Sequence, residues 1–154
     1  MKYNFKGNWG RILLTFFIVA STVISVIVDW NDTHVFSHHW PGDARYHGLL
    51  FLNLLCGTSI LGLWCMWRKS QEPELGVRIA VIITLIYRVS FFYLSFLPPM
   101  TSLLPESEHA PHINGIPIYL NVVASGMFIL FILFSYWIYR REHRKDLEFD
   151  KLNP

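Results

Sequence analysis

Ile12-Leu-Leu-Thr-Phe-Phe-Ile-Val-Ala-Ser-Thr-Val-Ile-Ser-Val-Ile-Val28 runs for seventeen residues without a charge. Lys2, Lys6, Trp9 and Arg11 precede it, and Asp29-Trp30 closes it. A secretory signal peptide has a similar basic start, but its apolar region is about 7–15 residues long and ends at a small-x-small site. Here Val26-Ile27-Val28 continues past the last small residues, so the segment reads as a retained transmembrane helix.

Three further apolar runs follow. Spans are expected at about 11–29, 47–67, 77–97 and 117–139, each close to the roughly 20 residues needed to cross a 30 Å hydrocarbon core. The second ends on Trp67-Arg68-Lys69, and a short polar connection runs from there to Arg78. Pro98-Pro99 breaks the third. Pro117 is expected as the first residue of the fourth, where its missing N–H costs nothing. Arg140-Arg141 begins a charged, solvated tail over 140–154. The fold class is therefore all-α, a single-domain integral membrane four-helix bundle.

Composition agrees. The 154 residues are 53% hydrophobic, 16% aromatic and only 16% charged, against about 25% charged in soluble domains; the mean hydropathy is +0.34. The net charge of +2 and the scattering of basic residues argue against nucleic acid. No Gly-rich phosphate loop, nucleophile elbow or CxxC is present. Cys56 and Cys65 are nine residues apart, or about 13 Å along one helix, too far for a disulfide.

Eleven of the thirteen Lys and Arg residues fall on one side of a four-span plan; Arg45 lies in the opposite loops and Arg88 inside the third span. By the positive-inside rule both termini are cytoplasmic, and loops 30–46 and 98–116 face outward. For a bacterial chain the membrane would be the cell or inner membrane. Six of the seven histidines are then extracytoplasmic.

Polar residues inside the spans form stripes. Ser21, Thr22, Ser25 and Asp29 share one face; Thr84, Arg88 and Ser95 share another; Asn53 pairs with Gly57 and Asn121 with Ser125. At 1.5 Å per residue from the cytoplasmic ends, Ser25, Asn53 and Ser125 lie at roughly 21 Å and Arg88 at about 15 Å. One polar layer in the outer half of the bundle is expected. Most of its hydroxyls and amides read as helix–helix glue. Arg88 does not, because an arginine at a helix centre costs about 2.5–3.5 kcal/mol even on insertion scales. Asp29, or the acidic or carbonyl group of a ligand, is its expected anion.

The first outer loop holds Asp29, Asp32, His34, His38, His39, Asp43, Arg45 and His47. Imidazole and carboxylate suit zinc or iron, and His34-x-x-x-His38-His39 resembles one histidine box of membrane desaturases and hydroxylases. Those enzymes use several boxes, on the cytoplasmic side, and Pro41 cuts this one from any helix. The second outer loop adds His109-x-x-His112 with Glu106 and Glu108. No metal is assigned: a divalent ion is not the favoured reading, and His34 and His47 would be its ligands. Asp43 is expected as N-cap of the second span. Arg45 then sits at the unfavourable positive end of that helix and needs an anion, Asp29, Asp32 or a bound one. Asp43 and His47, at i and i+4, share a face.

Asp29-Trp30-Asn31, Thr33-His34, Trp40-Pro41 and Ala44-Arg45-Tyr46-His47 resemble a signature of small four-span membrane proteins of uncharacterised families. There the segment runs roughly Asp-Trp-Asn-x-Thr-His, then Asn-Pro-x-Trp-Pro-Pro-His-Ala-Arg-Phe-His. The resemblance covers about 19 residues and the span plan, and implies no activity. Ser37-His38 stands where the pattern has Asn-Pro, so weight shifts from His38 and His39 to His34, Arg45 and His47.

The reading is an outer-leaflet site that binds or transforms a lipophilic small molecule. His34 and His47 are its acid/base candidates and Asp29 the orienting carboxylate. Arg45, Arg88, Asn53 and Asn121 are its ligand-binding candidates. The alternative is a non-enzymatic accessory subunit or assembly factor of a larger membrane complex, packing through its twelve Phe, seven Tyr and six Trp. An ion pathway ranks last, because the polar layer stops at the apolar stretches 79–83 and 128–134.

Overall fold

The computed structural model describes residues 8–94, 112–113 and 116–152. Among them are four helices, each long and apolar enough to cross a membrane: α1 (Trp9–Asp29), α2 (Gly42–Trp67), α3 (Pro73–Leu94) and α4 (Leu120–Leu152). A two-residue antiparallel ladder, β1 (His112–Ile113) with β2 (Ile116–Pro117), precedes α4. The chain is a four-helix bundle of the multi-pass membrane class, as its apolar runs require: in hydrocarbon, helices satisfy every backbone polar group within one segment.

The helices form a ring in chain order. The pairs α2–α3 and α1–α4 pack most extensively, α3–α4 and α1–α2 less so, and α1 meets α3 across the diagonal. The core runs through Leu14 and Ile18 of α1, Met66 of α2, Val77, Ala80 and Val81 of α3, and Ile132 and Tyr139 of α4.

Several expected boundaries move. α2 begins at Gly42 rather than 47, because the Pro41 carbonyl already accepts the Arg45 N–H at 3.2 Å. Pro41 is thus the N-cap, and Asp43 falls in the first helical turn, where its charge still suits the helix dipole. α3 likewise begins at Pro73, a favourable first position, so Glu74 and Arg78 are helical rather than part of the connection. Pro117 lies in β2, and α4 starts at Leu120. Its C-terminal end runs through the charged segment to Leu152, since no Gly or Pro interrupts residues 127–152. Residues 95–97 and most of the loop 98–116, with Glu106, Glu108 and His109, lie outside the described residues.

The end of the bundle that carries the basic clusters is tied by charge. Glu74 Oε1 accepts from Arg78 Nη2 at 2.7 Å and forms an ion pair with Arg140 Nη1 at 3.0 Å. Glu142 Oε2 accepts the Gly10 N–H at 3.1 Å, capping α1 from a helix 132 residues away. Two glycines allow this end to close. A Cβ on Gly10 would overlap the backbone of Tyr139, and one on Gly76 the carbonyl of Cys65. Cys56 and Cys65 are both free thiols.

Gly10→Ala and Gly76→Ala are expected to lower stability in mild detergent by about 1–3 kcal/mol each, the usual cost of overpacking. Gly42→Ala, which meets nothing within 4 Å, should leave it within about 0.5 kcal/mol. Thermal unfolding of the three variants tests the helix contacts.

Candidate functional site

The loop between α1 and α2 is folded by its own side chains. Asn31 Nδ2 donates to the Val28 carbonyl at 2.6 Å, which fixes its Oδ1 as an acceptor. That Oδ1 receives the Thr33 N–H at 2.9 Å and the Thr33 hydroxyl at 2.6 Å, an Asx-type turn. Thr33 Oγ1 also lies 2.9 Å from His34 Nδ1. The hydroxyl has one proton, already given to Asn31, so the second bond uses its lone pair and Nδ1 must be the donor. A neutral His34 is thereby held with Nε2 unprotonated, a proton acceptor. Its ring meets Trp40 edge-on at 5.9 Å, and Trp40 and Val35 pack over Gly48 of α2.

Asp29 is half-buried at the end of α1. Its carbonyl accepts the Val35 N–H at 3.2 Å, which folds the loop back over the helix. His47 stands apart. It is exposed and approaches Asp43 Oδ1 at 3.4 Å, on the face they were expected to share. It makes no hydrogen bond or ion pair with His34 or Asp29 among the described residues. Arg45 is half-buried, on the side of α2 that buries Leu52 and Leu55. It pairs with neither Asp29 nor Asp32, and its Nε is buried without a partner.

Below this lies Arg88, only 5% exposed. Its Nη2 donates to the Ser21 carbonyl at 2.6 Å and to Ser25 Oγ at 3.2 Å. Its guanidinium carbon sits 5.0 Å from the Tyr87 ring centroid and 4.9 Å from that of Phe128. Hydrogen bonds from a charged donor are worth about 1.5–3 kcal/mol each, and cation–π contacts about 0.5–2. Together they offset the insertion cost of about 2.5–3.5 kcal/mol. They do not neutralise the charge. No carboxylate pairs with Arg88 among the described residues, so the expected partner Asp29 is replaced by a carbonyl, a hydroxyl and two ring faces. Arg88 Nε and Ser125 Oγ, one turn before Phe128 on α4, are both buried without a hydrogen-bond partner.

The polar layer is therefore built from α1, α3 and α4. Asn53 is exposed on the outside of α2, its Nδ2 bonded to Leu49 O at 2.9 Å. The hydroxyl α2 turns inward is Ser59, 2.8 Å from Thr22 Oγ1. Asn121 is half-buried in the first turn of α4, where its Oδ1 accepts the Val122 N–H at 2.9 Å. Phe128 and Tyr87 were missed as site residues because an apolar run gives no signal for a ring that faces a cation.

Among the described residues no group of three His, Cys, Asp or Glu side chains is placed to hold a metal ion. His38 and His39 are exposed. A cleft of about 350 Å³ lies at the opposite end of the bundle, beside Glu74, Arg78 and His143. Glu74 already pairs with Arg78 and Arg140 there. No protein-family model matches the chain, and neither the curated proteins nor the solved structures give a match.

The Asn31–Thr33–His34 chain has a spectroscopic signature. In ¹⁵N-labelled protein at a pH where His34 is neutral, its ring nitrogens should report the Nδ1–H tautomer. Thr33→Val removes the acceptor and should return the ring to the commoner Nε2–H form. Nε2–H in both proteins would contradict the network.

Proposed function

We propose that this four-span protein binds a lipophilic molecule with an acidic or carbonyl head in the outer half of the bundle, open to the extracytoplasmic side. The observation that carries the reading is Arg88, a buried guanidinium whose charge no described carboxylate balances, with an unpartnered Nε and the unpartnered Ser125 hydroxyl one turn from its Phe128 contact. Such a group is matched by an anion or a polarised carbonyl, and Arg suits planar oxygens better than a point cation does. Arg45, whose Nε is also unpartnered, supplies a second positive group nearer the surface. His34, with Nε2 held as acceptor and Asp29 near it, is the acid/base group if the bound molecule is transformed. His47, exposed beside Asp43, and Asn53, exposed on the outside of α2, have no part in this reading.

The orientation is part of the proposal. Gly10 bonds Glu142 and Glu74 bonds Arg140, so Arg11, Arg68, Lys69, Arg78, Arg140 and Arg141 gather at one end of the bundle. The positive-inside rule assigns that end to the cytoplasm and the His34 loop to the outside.

Two experiments test this. Mass spectrometry of lipids co-purifying in mild detergent should find an acidic or carbonyl-bearing amphiphile near one per chain. Arg88→Gln should retain at least tenfold less, and Arg88→Lys an intermediate amount. Equal retention in Arg88→Gln, in a protein that melts like wild type, defeats the reading. Separately, in a cysteine-free background, His38→Cys should react with an impermeant maleimide on intact cells and Arg141→Cys only after permeabilisation. The reverse pattern overturns the orientation.

A further inference from the structure

Asn53 poses a separate problem. Counting up from Trp67 at 1.5 Å per residue puts it about 21 Å into a hydrocarbon core of roughly 30 Å. There its amide lies on the outer face of α2 rather than between helices. One N–H returns to Leu49 O; Oδ1 and the second N–H meet no described residue. Lipid offers neither donor nor acceptor, so this face is incomplete without a polar partner at that depth.

The surroundings specify the partner. Leu50, Asn53, Gly57, Ile60 and Trp64 follow one another at spacings of three, four, three and four, and all five are exposed. Leu50 is 44%, Ile60 67% and Trp64 58% exposed. A 3.5-residue repeat is the seam of a left-handed helix pair, and one amide within it fixes register and strand number. Gly57, one turn from Asn53, has nothing within 4 Å of where its Cβ would be, so a second backbone can approach closely. The opposite side of α2 is occupied: Ser59 bonds Thr22, and Gly62 packs on Ala80. An amide carries both donor and acceptor and complements itself. A second copy of this chain in the same orientation brings the same group to the same depth.

We infer that two copies pair in the membrane through α2, about a two-fold axis along the bilayer normal, with Asn53 bonded to Asn53 of the second copy across Gly57. In a cysteine-free background in native membranes, Ile60→Cys should form a disulfide-linked dimer under mild oxidation. Ile86→Cys, equally exposed on α3 at 66%, should not. In vesicles of increasing lipid-to-protein ratio, single-molecule photobleaching should show Asn53→Leu and Gly57→Leu weakening dimerisation by about 3- to 20-fold each, the range of one intramembrane hydrogen bond or packing contact. Because both positions lie on the exposed face of α2, the variants should melt like wild type, and a variant that does not is replaced by Asn53→Val or Gly57→Val. Equal cross-linking at positions 60 and 86, or unaltered dimerisation in the melting-competent variants, overturns the inference. So does an Ile60→Cys adduct containing a different protein, which would give the seam to a heterologous subunit.

Discussion

A guanidinium buried within an apolar helix long enough to span a membrane has to be solvated by protein, because lipid cannot do it. Much of the half of the bundle nearer the α1–α2 loop is arranged around that requirement. Ser21 gives Arg88 a backbone carbonyl that its helix can spare and Ser25 gives a hydroxyl. Phe128 brings α4 against one face of the cation while Tyr87, its own chain neighbour, takes another. Three helices are thereby held at one level, and α2 joins them through Ser59 and Thr22. The bundle makes its centre tolerable to a charge without pairing it with a carboxylate among the described residues.

The opposite end works differently. Glycine and alanine let backbones touch where Gly10 meets Tyr139, Gly76 meets Cys65 and Gly62 meets Ala80. Carboxylates Glu74 and Glu142 then clamp the exposed rim. Between membrane helices there is little hydrophobic gain, since lipid is as apolar as leucine, so close packing and polar contacts carry association. Four exposed or half-exposed tryptophans, Trp9, Trp30, Trp64 and Trp67, stand at helix ends where an indole suits the headgroup layer.

The four spans were legible in the sequence because length and charge spacing measure the bilayer directly. Helix ends were less so. Asp43 looked like a cap because its chemistry suits one, yet Pro41 sets the start through its carbonyl. Residues 140–152 looked like a tail because charge signals solvent, and solvent does not stop a helix. At the site, Arg88 stood out by its cost alone; Asp29 was its expected anion, and the serine stripe of α1, read as helix–helix glue, supplies its bonds instead. The direction of Asn53 was not readable: α2 is apolar around its whole circumference, so periodicity gives no inside or outside for its polar residues. The Asn31–Thr33–His34 relay was equally hidden, since it depends on how a turn folds and not on residue type.

The bond from Glu142 to the Gly10 N–H has a temporal side. α1 leaves the ribosome before α4, its leading amide unmatched; the carboxylate that satisfies it arrives 132 residues later. At roughly 5–20 residues per second, that is an interval of several seconds or more. During it, Gly10 is open to whatever the insertion machinery or neighbouring lipids present, while the serine face of α1 waits only for Arg88, 67 residues after Ser21. Closure of the ring therefore waits for α4, the element that seals the fold.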